Sequence, residues 1–296
     1  MHVHRLRRGA LVVLLLLSIV VSAVSATPPP VYATPSIFSN ASPIVLQDND
    51  VASPYFSTID VFGMSGVTSK VTVTLKGITH AKRSDLDIML FAPSLQQVLL
   101  LSDVGTDGFS NATITFDDDG STFPASGDVS GNQAVHPTNA PLIAGTDDDV
   151  FPSPVLSGTM PTTLETLAGR NPNGRWAIFI RDDTPGGAGT ISFGWELSIE
   201  TAPSVGGNAL TIPSSGAATP YASTITIATG EIIKRLRVTL FNVSHTNPDD
   251  LDILLVGPGG QRVRLMSDAG GNQDLVNTTL SFVDKAATRL PDSAQI

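Results

Sequence analysis

Few side chains in this chain are able to do chemistry, and their grouping narrows what that chemistry can be. Aspartates gather in runs: Asp85 and Asp87 with Asp103, then Asp117, Asp118 and Asp119, then Asp147, Asp148 and Asp149. Carboxylates in turns rich in glycine and asparagine are the hard oxygen donors that calcium takes. Asp85, Asp87, Asp103, Asp117 and Asp118 therefore form a candidate calcium set. The competing reading is that aspartates populate turns because their side chains mimic a backbone acceptor. No run has the spacing of a helix–loop–helix calcium hand. Histidine is sparse: beyond residue 26 there are only His80, His136 and His245. The absence of cysteine excludes disulfides, thiolate zinc sites and thiol nucleophiles.

The rest of the composition bounds the architecture. A length of 296 residues suggests roughly two domains, 41% apolar residues suffice to build cores, and 15% charge disfavours coiled coils. A formal charge of −10 argues against a nucleic-acid partner, whose phosphates need a basic face. Residues 1–26 read as a cleaved secretory signal peptide: Arg5, Arg7 and Arg8 precede an apolar run from Ala10 to Val21, and Val24 and Ala26 sit at the −3 and −1 positions of a cleavage site. Cleavage there takes the formal charge to −13 and leaves no later segment apolar and long enough to span a membrane. A secreted or cell-surface location follows. Residues 27–36 are a proline-rich leader, read as a semi-rigid spacer.

The elements that must position the polar residues are strands, and they occur twice. Between Lys70–Gly105 and Arg235–Gly270, sixteen positions are identical at an offset of 165, among them His80, Asp85, Asp87, Ile88, Pro93 and Asp103. A period of that size is a duplicated domain, not a solenoid repeat. Within each copy apolar residues alternate: Val71, Val73 and Leu75; Leu86, Ile88 and Leu90; Trp176, Ile178 and Ile180; and Ile191, Phe193, Trp195, Leu197 and Ile199. Period-two alternation marks half-buried strands, and many short strands between turn residues mark an all-β sandwich. One short helix is expected around 161–168, and Asp117 to Gly169 reads as a long loop. The second copy is expected to be incomplete, with no counterpart of the strands at Trp176 and Ile191. Trp176 and Trp195 lie in inward phase and read as core residues. Asn173-Gly174 reads as a turn that launches the Trp176 strand.

Several of these motifs in this order resemble a known family. His80–Pro93 (HAKRSDLDIMLFAP), Phe116-Asp117-Asp118, Asn171–Trp176 (NPNGRW) and the closing 189–199 strand resemble the P domain, also called the P/Homo B domain, which follows the catalytic domain of kexin- and furin-like subtilisin-type serine endopeptidases. The second copy repeats the core as HTNPDDLDILLVGPGG. Where the family often has glycine before the first strand aspartate, Ser84 and Asp249 stand here. The resemblance covers residues 37–201 in full and 204–296 in part. It implies a jelly-roll-like β-sandwich in two tandem copies that packs on, and stabilises, a protease domain.

A serine protease needs a nucleophile, a base and an orienting acid. His80 and His245 occupy equivalent repeat positions and read as structural. Asp250 and Asp252 repeat Asp85 and Asp87 beside them. That leaves His136, in a loop without subtilisin-like surroundings. The segment Gly158-Thr159-Met160-Pro161 lacks the serine of the family's Gly-Thr-Ser-Met motif. The expected function is therefore a secreted, non-catalytic module with a structural or interaction role. Its expected partner is a subtilisin-like protease domain or another cell-surface protein. The alternatives are a fragment or accessory chain of a secreted serine endopeptidase, and a calcium-dependent adhesin or glycan-binding module.

Overall fold

The computed structural model describes residues 13–20, 34–140, 151–153, 155, 160–202, 206–227, 233, 235–284, 286 and 288–296. Residues 1–33 lie outside them except for 13–20, as do Asp147–Asp149 and Gly158-Thr159. The chain divides into two compact units: Ala33–Ser204, and Val205–Ile296 together with the N-terminal residues up to Tyr32.

Strands dominate both. β1 (Val13–Val20) belongs to the C-terminal unit. The N-terminal unit holds β2 (Ser36–Asn40), β3 (Ile44–Leu46), β4 (Val51–Val61), β5 (Val67–His80), β6 (Leu86–Phe91), β7 (Gln97–Ser102), β8 (Phe109–Ser121), β9 (Val129–Val135), β10 (Thr138–Asn139), β11 (Gly174–Asp182), β12 (Gly189–Ile191) and β13 (Trp195–Ala202). The C-terminal unit adds β14 (Ser223–Thr226), β15 (Val238–His245), β16 (Leu251–Val256), β17 (Arg262–Met266) and β18 (Leu275–Phe282). Among the described residues the helical elements are three 3-10 turns, Arg83–Asp85, Leu164–Leu167 and Pro248–Asp250. The second stands where the short helix was expected.

The N-terminal unit is a β-sandwich. One layer runs β10-β7-β6-β11-β4, and the other is built on β3, β12, β5, β13 and β2 with β8 and β9 beyond β5. The layers join where Val45 of β3 pairs Ser53 of β4. Inward residues of both layers form one core: Leu86, Ile88, Trp176, Ile178 and Ile180 from the first, and Val71, Val73, Leu75, Ile114, Leu197 and Ile199 from the second. The alternation read from the sequence is the alternation of that core.

Three expectations differ. β6 is not half-buried but covered on both faces: on the outer side of its layer Met89 is buried with Leu99 of β7, Ala177 and Phe179 of β11, and Phe151. The Tyr55 hydroxyl donates to the Pro152 carbonyl at 2.7 Å, tying the covering segment down. Second, Phe193 does not continue the inward stripe of Trp195; it is 61% exposed. Gly194, at φ +65°, breaks the run, because a Cβ there would lie 1.9 Å from the Asn40 carbonyl oxygen. Third, residues 117–121 extend β8, and β9 and β10 occupy part of the presumed loop.

The C-terminal unit repeats the pairings of the first. Val238↔Phe282, Thr239↔Ser281 and Leu240↔Leu280 reproduce Val73↔Phe116, Thr74↔Thr115 and Leu75↔Ile114. The β16–β17 hairpin reproduces β6–β7. Its core gathers Ala218, Val243, Leu251, Ile253, Met266, Leu275 and Leu280.

Candidate functional site

The most concentrated polar geometry lies where β5 ends, at His80. Its Nδ1 is 2.7 Å from the Lys82 carbonyl oxygen, a contact that requires the proton on that nitrogen. Its Nε2 is 2.9 Å from Oδ2 of Asp182, the last residue of β11, at ion-pair distance but off hydrogen-bond alignment. Both side chains are fully buried. The other Asp182 oxygen accepts the backbone N–H groups of Asn49 and Thr184, each at 3.2 Å. Burial raises the Asp182 carboxyl above its ordinary range, opposed by those N–H groups and by His80. Around the ring the backbone comes close: a Cβ on Gly189 would lie 2.8 Å from His80 Cδ2. The adjoining Gly186 and Gly187 N–H groups donate to Asp48 Oδ1 at 2.8 and 3.2 Å and hold that carboxyl below its ordinary range.

An imidazole facing a carboxylate is two-thirds of a catalytic triad, but a general base must reach its substrate. Here the ring is sealed. The nearby hydroxyls are also occupied: Ser84 Oγ donates to Asp85 and Thr184 Oγ1 to Asp183. The pair ties the end of β5 to the end of β11. His136 sits apart, its Nδ1 against the Pro137 carbonyl oxygen at 3.1 Å.

The acidic candidates are dispersed. Asp85 is buried and accepts from Ser84 Oγ at 3.0 Å, with Lys82 Nζ 3.6 Å away. Asp87 is buried on β6 opposite Arg181 in the ladder. Asp103 stands in the turn after β7 at φ +57° and accepts from Ser102 Oγ. Asp117 and Asp118 are strand neighbours and so face opposite ways. Asp117 pairs Lys70 at 2.8 Å. Asp118 accepts from Thr163 Oγ1 and the N–H groups of Leu164 and Glu165, capping the 3-10 turn. Among the described residues no three His, Asp or Glu side chains gather in a way that could hold a metal ion.

The remaining candidates serve the scaffold. Asn173 brackets Met64, accepting its N–H at 3.0 Å and donating to its carbonyl at 2.8 Å. Gly174 lies against Pro93, where a Cβ would come within 2.8 Å. Trp176 and Trp195 are core residues, their indole N–H groups donating to the Pro172 carbonyl and to Ser57 Oγ. In the C-terminal unit His245 Nδ1 lies 2.8 Å from the Asn247 carbonyl, as His80 does from Lys82, and the Asp250 N–H donates to that same carbonyl. Asp252 is half-buried on β16.

Two residues have roles that the sequence reading did not reveal, Asp182 having stood out only as an acidic pair with Asp183 beside the Gly186-Gly187 turn. Asp182 is 102 positions from its partner in a tract with no repeat to flag it. Arg83 is wholly buried, a rare state for arginine. Its guanidinium donates to the carbonyls of Asp107, Gly127 and Pro124 at 3.1, 2.8 and 2.6 Å, pinning the turns on either side of β8. Gly105 was the available signal, since a Cβ there would lie 2.3 Å from Arg83 Nη2.

No protein-family model matches the chain, and no curated protein matches it. Among solved structures it is similar to the serine protease of Aeromonas sobria in complex with the chaperone ORF2, at 14% identity over 60% of this chain and 28% of that one, with a TM-score of 0.31. A second structure of the serine protease of Aeromonas sobria gives 14% identity, the same coverage and a TM-score of 0.28. The chain thus spans a little over a quarter of the length of these structures.

Proposed function

We propose that the chain is a secreted, non-catalytic module of P-domain type, acting by structure and interaction, with a subtilisin-type serine protease domain as its partner. One observation carries this reading: the residues that give the resemblance are spent inside the sandwich. His80 is sealed against Asp182, Asn173 brackets Met64, Gly174 lies on Pro93, and Trp176 fills the core. Residues so used build a body for other proteins to contact, and leave chemistry to the partner.

The test is activity-based labelling during capture. The tagged chain, incubated in the medium of the producing cells, is treated with a fluorophosphonate. The expected result is an unlabelled chain that retains a labelled serine protease, with the chain beginning at Thr27. Label on any serine of the chain would end the non-catalytic reading, and a capture free of labelled protease would end the assigned partner.

A further inference from the structure

One turn of the N-terminal unit holds a residue that its own conformation disfavours. In the hairpin between β6 and β7 the Leu95 N–H donates to the Ala92 carbonyl at 2.9 Å, with Leu95 at φ +66°. A residue with a Cβ enters that left-handed region only at a steric cost. The equivalent turn of the repeat, between β16 and β17, places Gly260 there at φ +81°. The turn therefore favours glycine, yet the N-terminal unit carries a leucine that is 64% exposed. Packing in the core does not account for it.

A second exposed apolar side chain stands at the same end. β11 lies between β4 and β6, so the turns that follow β4 and β6 flank the start of β11, about 10 Å or two strand spacings apart. The first of these turns carries Phe62, 73% exposed. Segment 171–174 staples both turns: Asn173 brackets Met64, and Gly174 lies against Pro93. Just before it the Arg170 carbonyl accepts the Thr68 N–H at 2.8 Å, while the residue itself is exposed. Residues 62–66, 92–96 and 168–174 contain one arginine, Arg170, and no acid, in a chain with 27 acids against 17 bases. The adjoining Arg175 is paired with Asp60 at 2.9 Å.

We infer that this end of the N-terminal unit is a lipid-docking tip, at which Phe62 and Leu95 enter the interfacial layer of a bilayer and Arg170 meets the phosphates of anionic headgroups. Two apolar prongs on separate, stapled loops need matching pockets in a protein, whereas a bilayer needs none. Charge fixes the orientation, since an anionic lipid surface repels the acidic body and accepts its acid-free end. Two inserted side chains and one arginine give reversible, peripheral attachment, in which apolar insertion and electrostatic attraction act together. This inference stands whether or not a protease is the partner.

The experiment uses the chain as secreted, sedimented with vesicles of phosphatidylcholine and phosphatidylglycerol. Wild type is expected to sediment with them, and less with phosphatidylcholine alone. Phe62→Ser and Leu95→Gly should each weaken binding about tenfold, the effect of keeping one large apolar side chain out of the lipid. Arg170→Gln should weaken it about fivefold on the anionic vesicles and leave binding to phosphatidylcholine unchanged. Leu95→Gly should at the same time keep or raise the melting temperature of the N-terminal unit, since glycine suits the turn. Phe62→Trp should shift its emission to the blue on vesicles, against the constant background of the buried Trp176 and Trp195. A wild type that stays in solution, or unchanged sedimentation of the Phe62→Ser, Leu95→Gly double variant, would overturn the tip. A fall in melting temperature for Leu95→Gly would return Leu95 to the fold and overturn its part in the tip. Loss of protease capture by the double variant, with vesicle binding intact, would give the tip to a protein partner instead.

Discussion

The two units agree wherever contacts are close in sequence and part wherever they are distant. Both pair β5-type and β8-type strands in one register. Both lock the histidine at the strand end against the carbonyl two residues on. Both place an asparagine at positive φ, Asn111 and Asn277, whose N–H donates to the hydroxyl of Thr79 or Ser244. Beyond about 80 residues the likeness stops. The N-terminal unit flanks β5 with β13 and fills the β4/β6 gap with β11. In the C-terminal unit β15 pairs only β18 among the described residues, and Phe241 stands 75% exposed on it. Hairpins and clamps are portable because they travel with their own sequence. Layer closure in the N-terminal unit uses strands contributed from far along the chain, β11 and β13.

The sharpest way to break the comparison is at Arg83, whose repeat position is Pro248. In the N-terminal unit the guanidinium organises both turns around β8. In the C-terminal unit Pro248 and Ile296 crowd Gly270 instead. Arg83→Ala should destabilise the N-terminal unit by about 3–5 kcal/mol, the cost of a cavity plus carbonyls left without donors. Urea unfolding followed by tryptophan fluorescence reads this unit alone. Pro248→Ala, followed by hydrogen exchange in β15, should shift stability by less than about 1 kcal/mol. Comparable losses would mean that Arg83 is not what separates the units.

Asp182 comes next. Asp182→Ala should cost about 2–3 kcal/mol, because it leaves His80 Nε2 and the Asn49 and Thr184 N–H groups without their acceptor. His245→Ala should cost less than His80→Ala, since among the described residues only His80 of the two faces a carboxylate. The sign with pH is fixed by burial. A carboxyl raised in the folded state binds its proton more tightly there than in the unfolded chain, so its contribution falls as pH rises from the ordinary carboxylate range through the raised value. The advantage of wild type over Asp182→Asn should therefore be larger near pH 4 than at pH 7. A constant difference would mean that the carboxyl does not titrate on folding.

Much of this architecture is legible in the sequence because its causes are local. Alternation fixed which faces of β5, β6, β11 and β13 turn inward, and the repeat marked His80, Asp85 and Asp87 as a structural set. Asp182 was hidden because nothing near it in sequence announces a partner 102 residues earlier. Arg83 was hidden because a lone arginine between Lys82 and Ser84 reads as solvated until three carbonyls converge on it. Phe193 misled because a period-two pattern continues through a glycine whose positive φ turns the chain. The calcium candidates stand apart for a related reason: Asp117 and Asp118 are close in sequence, but a strand sends neighbours to opposite faces.

A smaller test asks whether Gly77 and Asn242, equivalent in the repeat and at φ +72° and +54°, are interchangeable. Over Gly77 lies Phe193, whose ring a Cβ would approach to 2.7 Å. Gly77→Asn should cost about 1 kcal/mol, since the exposed ring can yield. Asn242→Gly, with no counterpart of Phe193 above it among the described residues, should change melting little. Equal costs would show that backbone conformation alone sets the preference.

Asp48 gives the weakest effect and the clearest sign. It is solvent-exposed and holds the turn between β11 and β12 through two backbone N–H groups, which lower its pKa. A carboxyl lowered in the folded state contributes stability above its unfolded pKa and loses it as pH falls through the folded one. Asp48→Asn should lower the melting temperature slightly at pH 7 and approach wild type in strong acid. Asp182→Asn trends the opposite way. The Asp48 difference should survive deletion of Val205–Ile296, because the turn it holds belongs wholly to the N-terminal unit. Melting curves of Asp48→Asn that stay parallel to wild type from pH 7 down to pH 2 would show that the turn stands without its carboxylate. The closure of the N-terminal unit would then rest on β11 and β13 alone.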